Sequence, residues 1–313
     1  MTLESKLGHP PATDDLPSQS EMFRQIMVTG EAAWQNRLSR PQVEHWLSNF
    51  TGEVFNVDYE KQLALWLLCN FVFYNQNEVR HLCRTAFREF LHFALSSLPR
   101  QHDRDWDDAA NKTLDNTRFY HLGRPGESGA FVMYFFRQEN NLGMQNFLTQ
   151  PDKLPANVDT IVFIDDVVLS GQQAAPYLHR ATAGYDDNKR KVLLVFFSTD
   201  EAEDLLRKNN ISVISCIKLD DRSKCFSSDS NVFVNHPLHR ESCKAIAEVY
   251  GAKLKPDHPL GYDNGQYAFG FYYNTPDNTL PIFWSEHGGW VSVMKRYDKI
   301  YGKGGLNELG RFI

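Results

Sequence analysis

Cysteine is scarce in this chain of 313 residues: five are present, an odd number, and no two stand as C-x-x-C. That excludes a disulfide framework and suits a reducing compartment. Positive charge is not in excess either. A net charge of −6 and a pI near 6.0 argue against a general binder of nucleic acid or of membrane surfaces. Long apolar runs are missing, since the most apolar stretch, residues 63–74, is too short to span a bilayer and contains Asn70. The first residues are polar and proline-rich, unlike a secretory leader. No G-x-S-x-G elbow or Walker loop occurs, and the glycines between Gly302 and Gly305 sit in a tail, so nucleophilic hydrolase chemistry has no support. The expectation is a cytoplasmic protein without a membrane span.

What is present centres on residues 161–173. Ile161-Val162-Phe163-Ile164 reads as a strand buried on both faces, the habit of parallel sheets. Asp165-Asp166 leaves its carboxyl end, where open α/β sheets keep their ligands. Ser170-Gly171-Gln172 then makes a tight turn into a helix whose first N–H groups can face a phosphate. A plainer reading, that the acid pair merely ends a strand, stands beside this one. Strand, acid pair, hydroxyl-glycine turn and helix together resemble the phosphoribosyl-pyrophosphate loop of type I phosphoribosyltransferases. The resemblance implies that Asp165 and Asp166 hold the ribose 2′- and 3′-hydroxyls, and that Ser170, Gly171, Gln172 and Gln173 cradle the 5′-phosphate. It further implies magnesium held indirectly, through the ligand, beside Asp165 and Asp166. The chain departs from the pattern at Leu169, where that family has Thr, Ser or a catalytic Asp, and at Gln173, where it has Thr.

Upstream, Thr117 to Leu122 reads as a short strand and Ala130 to Gln138 as a buried helix with Ser128 as its N-cap, although a strand fits the latter too. Between them the glycine-rich Gly123 to Gly129 is either a surface loop or, on the resemblance, the pyrophosphate-contacting loop. Arg124, Gly126, Ser128 and Arg137 are then the residues placed to meet ligand. Downstream the alternation continues: a helix over 173–183, strands over 191–197 and 211–217, and a helix over 200–208 capped by Thr199. A second acid pair, Asp220-Asp221, lacks a following glycine turn and reads as a solvated loop end.

The first 114 residues have a different texture. Residues 1–20 read as a flexible arm and 21–114 as a helical module, with amphipathic stripes over 58–74 and 77–98, the latter capped by Asn77. Arg80, Arg84 and Arg88 form a stripe that is solvated, or else faces phosphate or a partner. Residues 115–313 would be the α/β domain, with an aromatic C-terminal hood in which Tyr267–Tyr273 and Leu280–Trp284 read as strands around a turn at Pro276-Asp277. A rival chemistry is zinc on His236, His239, Cys243 and Cys225, though the spacing is not a standard one.

The acid-pair motif, the Asn274 to Trp284 stretch and the helical extension are together similar to phosphoribosyltransferase-like proteins of bacterial conflict systems, some of them retron-associated. The fold implied is a doubly wound, mostly parallel α/β sheet with an N-terminal helical module. The function implied is an anti-phage effector acting on phosphoribosyl pyrophosphate or a nucleotide, with a non-catalytic nucleotide sensor or partner-binding protein as the alternative. Whether such a chain is an enzyme stays open, because Leu169 removes the general acid or base. Its partners would be that small molecule, a defence-system protein or reverse transcriptase complex, and a second copy of itself. The helical module would mediate the association, since a transferase core does not need it.

Overall fold

A computed structural model describes residues 15–96, 98, 105–152, 154–186 and 188–297. Most of the expected N-terminal arm, and the glycines of the tail, lie outside these residues. The described residues open with four helices, α1 (Gln19–Ala32), α2 (Arg40–Leu47), α3 (Val57–Cys69) and α4 (Gln76–Ser96). The three-residue strand β1 (Val72–Tyr74) separates α3 from α4, and α5 (Trp106–Asp115) follows. The cap of α4 is Asn75 rather than Asn77: its Oδ1 accepts from the backbone N–H groups of Asn77 and Glu78.

Five parallel strands build the main sheet: β2 (Thr117–His121), β3 (Thr160–Ile164), β4 (Val167–Val168), β5 (Arg190–Ser198) and β6 (Ser212–Lys218). Strand β3 lies between β2 and β5, in register Val162↔Phe119 and Val162↔Val192. Strand β4 resumes alongside β5 beyond β3, and β6 closes the far edge. Successive side chains of the two central strands point to opposite faces. Ile161, Phe163, Leu193 and Val195 pack with Leu178 of α7 (Ala174–Ala181) and Leu206 of α8 (Asp200–Lys208). Val162, Ile164, Val192 and Leu194 pack with Val79 and Phe90 of α4 and Phe136 of α6 (Ser128–Glu139). The apolar runs read as doubly buried strands are buried in that way, and the fold is a doubly wound, mostly parallel α/β sheet.

The winding reverses beside β3. After α6 the chain runs outward past β2, where Phe147 makes a parallel bridge to Phe119, and then returns to β3 on the other side. The ends of β2 and β3 therefore flank the topological switch point, where doubly wound sheets open a crevice.

Helices α1 to α3 do not stand apart. They share a core with α9 (Arg240–Leu254) and the short α10 (Pro281–Trp284). Trp46 stacks on Phe283 with centroids 5.8 Å apart and donates its indole N–H to the Ile282 carbonyl at 2.8 Å. The fully buried Glu60 accepts from the N–H groups of Gly52, Val54 and Phe55 and from the Tyr250 hydroxyl. Strand β1 pairs in parallel with β7 (Phe269–Phe271). Helix α4, placed by its sequence in the helical module, lies on the sheet instead. So the helices that a transferase core was expected to spare are part of this protein's own core.

Two expected strands of the hood are corrected. Within the expected strand Leu280–Trp284, residues Pro281–Trp284 form α10, because Pro281 has no N–H for a ladder and its fixed φ suits a first helical turn. Only Phe269–Phe271 of the aromatic run is a strand, since the chain turns back at once and Phe271 and Asn274 bond to each other. Among the described residues no helix is long and apolar enough to cross a membrane.

Candidate functional site

The acid pair occupies the break between β3 and β4. Asp165 N–H still bonds to the Leu194 carbonyl of the neighbouring strand, and the Asp166 carbonyl accepts from Phe196 and Phe197. The backbone is thus pinned while both side chains turn out at the sheet's carboxyl end. Asp165 Oδ1 accepts from Ser128 Oγ at 3.1 Å and from Asp166 N–H at 3.0 Å. Asp166 Oδ1 accepts from Ser128 Oγ at 3.2 Å and from Val167 N–H at 2.9 Å, while Asp166 Oδ2 accepts from the Tyr273 hydroxyl at 3.2 Å. Burial pushes both carboxyls above the ordinary carboxylate range, Asp165 strongly so, with the charge of Asp166 adding to its rise.

These donors come from three separate parts of the chain. Ser128 is the first residue of α6, so its hydroxyl and the helix's first N–H groups face the pair together. The close approach depends on Gly129. A Cβ there would lie 2.5 Å from the Leu122 carbonyl oxygen and 2.9 Å from that of Ile164, both fixed backbone, so only glycine lets α6 start against the two strand ends. The glycine loop before it uses left-handed φ at Gly123 and Gly126. Tyr177 of α7 donates its hydroxyl to the Gly123 carbonyl at 3.0 Å, tying that loop to the helix that follows the hydroxyl-glycine turn.

That turn is Ser170-Gly171, with Gly171 at φ +71°. Ser170 is buried and its Oγ accepts from Gln172 N–H at 3.4 Å. Leu169, where a carboxylate was sought, is buried, and its carbonyl accepts from Thr199 Oγ1 at 2.5 Å.

A cavity of about 1040 Å³ joins these parts. Asp165, Asp166, Ser128, Arg124, Gly126, Ser170, Gly171 and Gln173 all line it. Two expected ligand residues stand elsewhere. Gln172 is exposed and outside the lining. Arg137 sits in the last turn of α6, about 13 Å along the helix from Ser128 at 1.5 Å per residue, because α6 runs away from the strand ends. The opposite wall was not foreseen: Tyr273, Asn274, Asp277, Arg296 and Tyr297 come from the hood. Tyr273 had only its place in an aromatic run to mark it, a signal shared with core residues.

The carboxylates suit a cation. They are adjacent, desolvated and resistant to ionisation, so a divalent ion arriving with its own oxygen ligands would relieve them. Other acids and bases are accounted for structurally. Arg80 and Arg84 both pair with Glu139 of α6, a helix–helix contact, while the third residue of the basic stripe, Arg88, is exposed and bonds to its neighbour Glu89. Asp220 bonds to Arg222, and Asp221 to Lys224. The zinc reading fails: His239 is engaged by the Tyr59 hydroxyl at 2.8 Å and by Asp15 at 2.7 Å. Burial raises the Cys225 thiol to about 12 and the Cys243 thiol as well, and no group of three ligating side chains occurs among the described residues.

No curated protein matches the chain. Among solved structures, the crystal structure of orotate phosphoribosyltransferase from Aeropyrum pernix is similar at 12% identity and a TM-score of 0.24, covering 44% of this chain and 93% of that one. That likeness is too weak to carry an argument, and the assignment rests on a family model that matches residues 43–296. With most of its length inside that match, the chain belongs to the phosphoribosyltransferase-like PRTase-CE family.

Proposed function

We propose that the cavity at the switch point binds a phosphoribosyl ligand, with phosphoribosyl pyrophosphate or a nucleotide as its class. The observation that carries this reading is the paired Asp165 and Asp166, the second buried and the first half-buried, facing the cavity between a glycine loop and a hydroxyl-glycine turn. Vicinal carboxylates accept from vicinal hydroxyls, so the pair would orient the ribose 2′- and 3′-hydroxyls. Ser170, Gly171 and Gln173 would hold the 5′-phosphate through hydroxyl and backbone N–H donors. Ser128, Gly126 and Arg124 would meet the pyrophosphate side at the start of α6.

Magnesium fits beside Asp165 and Asp166, held mainly by ligand oxygens, and when bound it would neutralise pyrophosphate charge. As an enzyme, the protein would let an acceptor attack C1 of the ribose while the C1–oxygen bond to pyrophosphate breaks. The carboxylates would stabilise the positive charge that grows on the ring. Leu169 favours a second reading, a non-catalytic nucleotide sensor, because its buried apolar side chain supplies no general acid or base. Resemblance to conflict-system proteins supports anti-phage defence as the setting, with a partner from the same locus.

A thermal-shift titration with phosphoribosyl pyrophosphate, nucleoside monophosphates and magnesium tests the binding, and pyrophosphate release separates enzyme from sensor. A melting temperature unmoved by every phosphoribosyl compound would overturn the proposal. Loss of phage protection in cells carrying D165N/D166N is the matching cellular test.

A further inference from the structure

Among the described residues Tyr273 is the one hood side chain bonded to the acid pair, and its setting suggests more than support. Its hydroxyl and that of Ser128 occupy acceptor positions of the two carboxylates, at 3.1 to 3.2 Å. Two hydroxyls on two adjacent carboxylates is the arrangement a sugar diol would make. We propose that Tyr273 is a latch: its phenol holds the place of a ribose hydroxyl on Asp166 in the free protein, and ligand displaces it.

The local geometry makes such a displacement feasible. Tyr273 sits at the tip of a tight turn whose base is closed independently, by Phe271 N–H on the Asn274 carbonyl at 2.8 Å and the reciprocal bond at 3.2 Å. The side chain can therefore leave Asp166 while that base stays closed. Its ring lies parallel to Phe271, with centroids 5.3 Å apart, and tilted against Phe131 of α6 at 4.7 Å. Phe131 lines the same cavity and is partly exposed, so one flank of the tyrosine faces space, not packed core. Asn274 follows directly, and its Oδ1 accepts from Tyr297 N–H at 3.0 Å. Burial and the acid pair keep the phenol protonated, which is the form that can donate to Asp166.

The inference rests on the phosphoribosyl reading, and the sign of one substitution separates the two. Tyr273→Phe keeps both ring contacts and removes only the hydroxyl. A latch competes with ligand, so its removal should tighten binding of phosphoribosyl pyrophosphate with magnesium by about threefold to tenfold, the range of one modest hydrogen bond. A tyrosine that merely positions Asp166 would do the opposite, and weaker or unchanged binding by Tyr273→Phe, with wild type binding normally, overturns the latch alone. Ligand binding by the variant and none by wild type supports it. Silence from both proteins removes the phosphoribosyl reading and the latch with it. As a second readout, 3-fluorotyrosine incorporated at position 273 should change its fluorine resonance when wild-type protein is titrated with the same ligand. A resonance that stays fixed at saturation would rule displacement out even if the affinities moved.

Discussion

Two aspartate pairs leave the carboxyl ends of parallel strands in this protein, and they have opposite fates. Asp165-Asp166 follows a strand buried on both faces at the centre of the sheet. Asp220-Asp221 follows the edge strand β6, close to Arg222 and Lys224. Burial raises the first pair's carboxyls, whereas Asp220 is held below the ordinary range chiefly by its hydrogen bonds to Arg222. The dipeptide is the same, so the chemistry lies in the strand's position and in what the next five residues do. A glycine turn and a helix follow the first pair, and a basic loop follows the second.

The largest contrast should appear in ligand response. Asp165→Asn with Asp166→Asn is expected to abolish the magnesium-dependent thermal shift with phosphoribosyl pyrophosphate. The free protein should melt within a few degrees of wild type or slightly higher, because two desolvated, mutually repelling carboxyls have been neutralised. Unfolding of the double variant, with normal ligand response in its folded fraction, would make the pair structural and erase the contrast.

How much of this contrast was legible beforehand depended on the range of the signal. The central strands and the turn at Gly171 are written locally, in unbroken apolar runs and a small-residue cluster. So is the exposed second pair, through its basic followers. Contacts across the chain left no comparable trace. Tyr273 reaches Asp166 over 107 positions, and Tyr177 reaches Gly123 over 54. Nothing in an aromatic run marks which ring faces a cavity. The Leu280–Trp284 reading failed because apolar density was weighed above Pro281, and α4 was assigned to the wrong layer because an amphipathic stripe does not name what it packs on.

Gly129 sharpens the comparison from the backbone side, since it lets the start of α6 meet the strand ends beside the first pair. Gly129→Ala places a methyl group against two strand carbonyls, and the helix must move away from the sheet. A loss of about 1–3 kcal/mol in stability is expected, as for other overpacked sites. Ligand response should weaken with it, because Ser128 moves with the helix. Chemical denaturation and the same titration check both effects, and an alanine variant with wild-type stability would show that α6 can shift freely.

A smaller effect should come from Ser170→Ala. One donor to a phosphate is lost while the backbone N–H groups of the turn remain, so binding should weaken by about 1–2 kcal/mol and not vanish. Isothermal titration measures it. Complete loss would mean that the hydroxyl, not the turn, holds the phosphate.

The smallest effect is the most diagnostic, because the first pair and Asp220 should respond to pH with opposite signs. Asp165 and Asp166 have raised carboxyls in the folded protein, so between the ordinary range and those raised values the folded state binds more protons than the unfolded one. Their contribution to stability is full below the ordinary range and lost as pH rises through the folded values. The melting temperature of the D165N/D166N variant, relative to wild type, should therefore climb from acid toward neutral pH. Asp220 is lowered, so its contribution is present above the ordinary range and lost as pH falls through the depressed folded value. Asp220→Asn with Asp221→Asn should melt marginally below wild type at neutral pH and converge with it in acid. Because that pair is exposed, salt should shrink its difference to nothing, while the buried pair's difference persists in salt. Melting curves of both double variants at several pH values and two salt concentrations would settle the matter. Parallel pH trends would mean that the two pairs differ in neighbours only, and that burial at the switch point has not tuned the first pair at all.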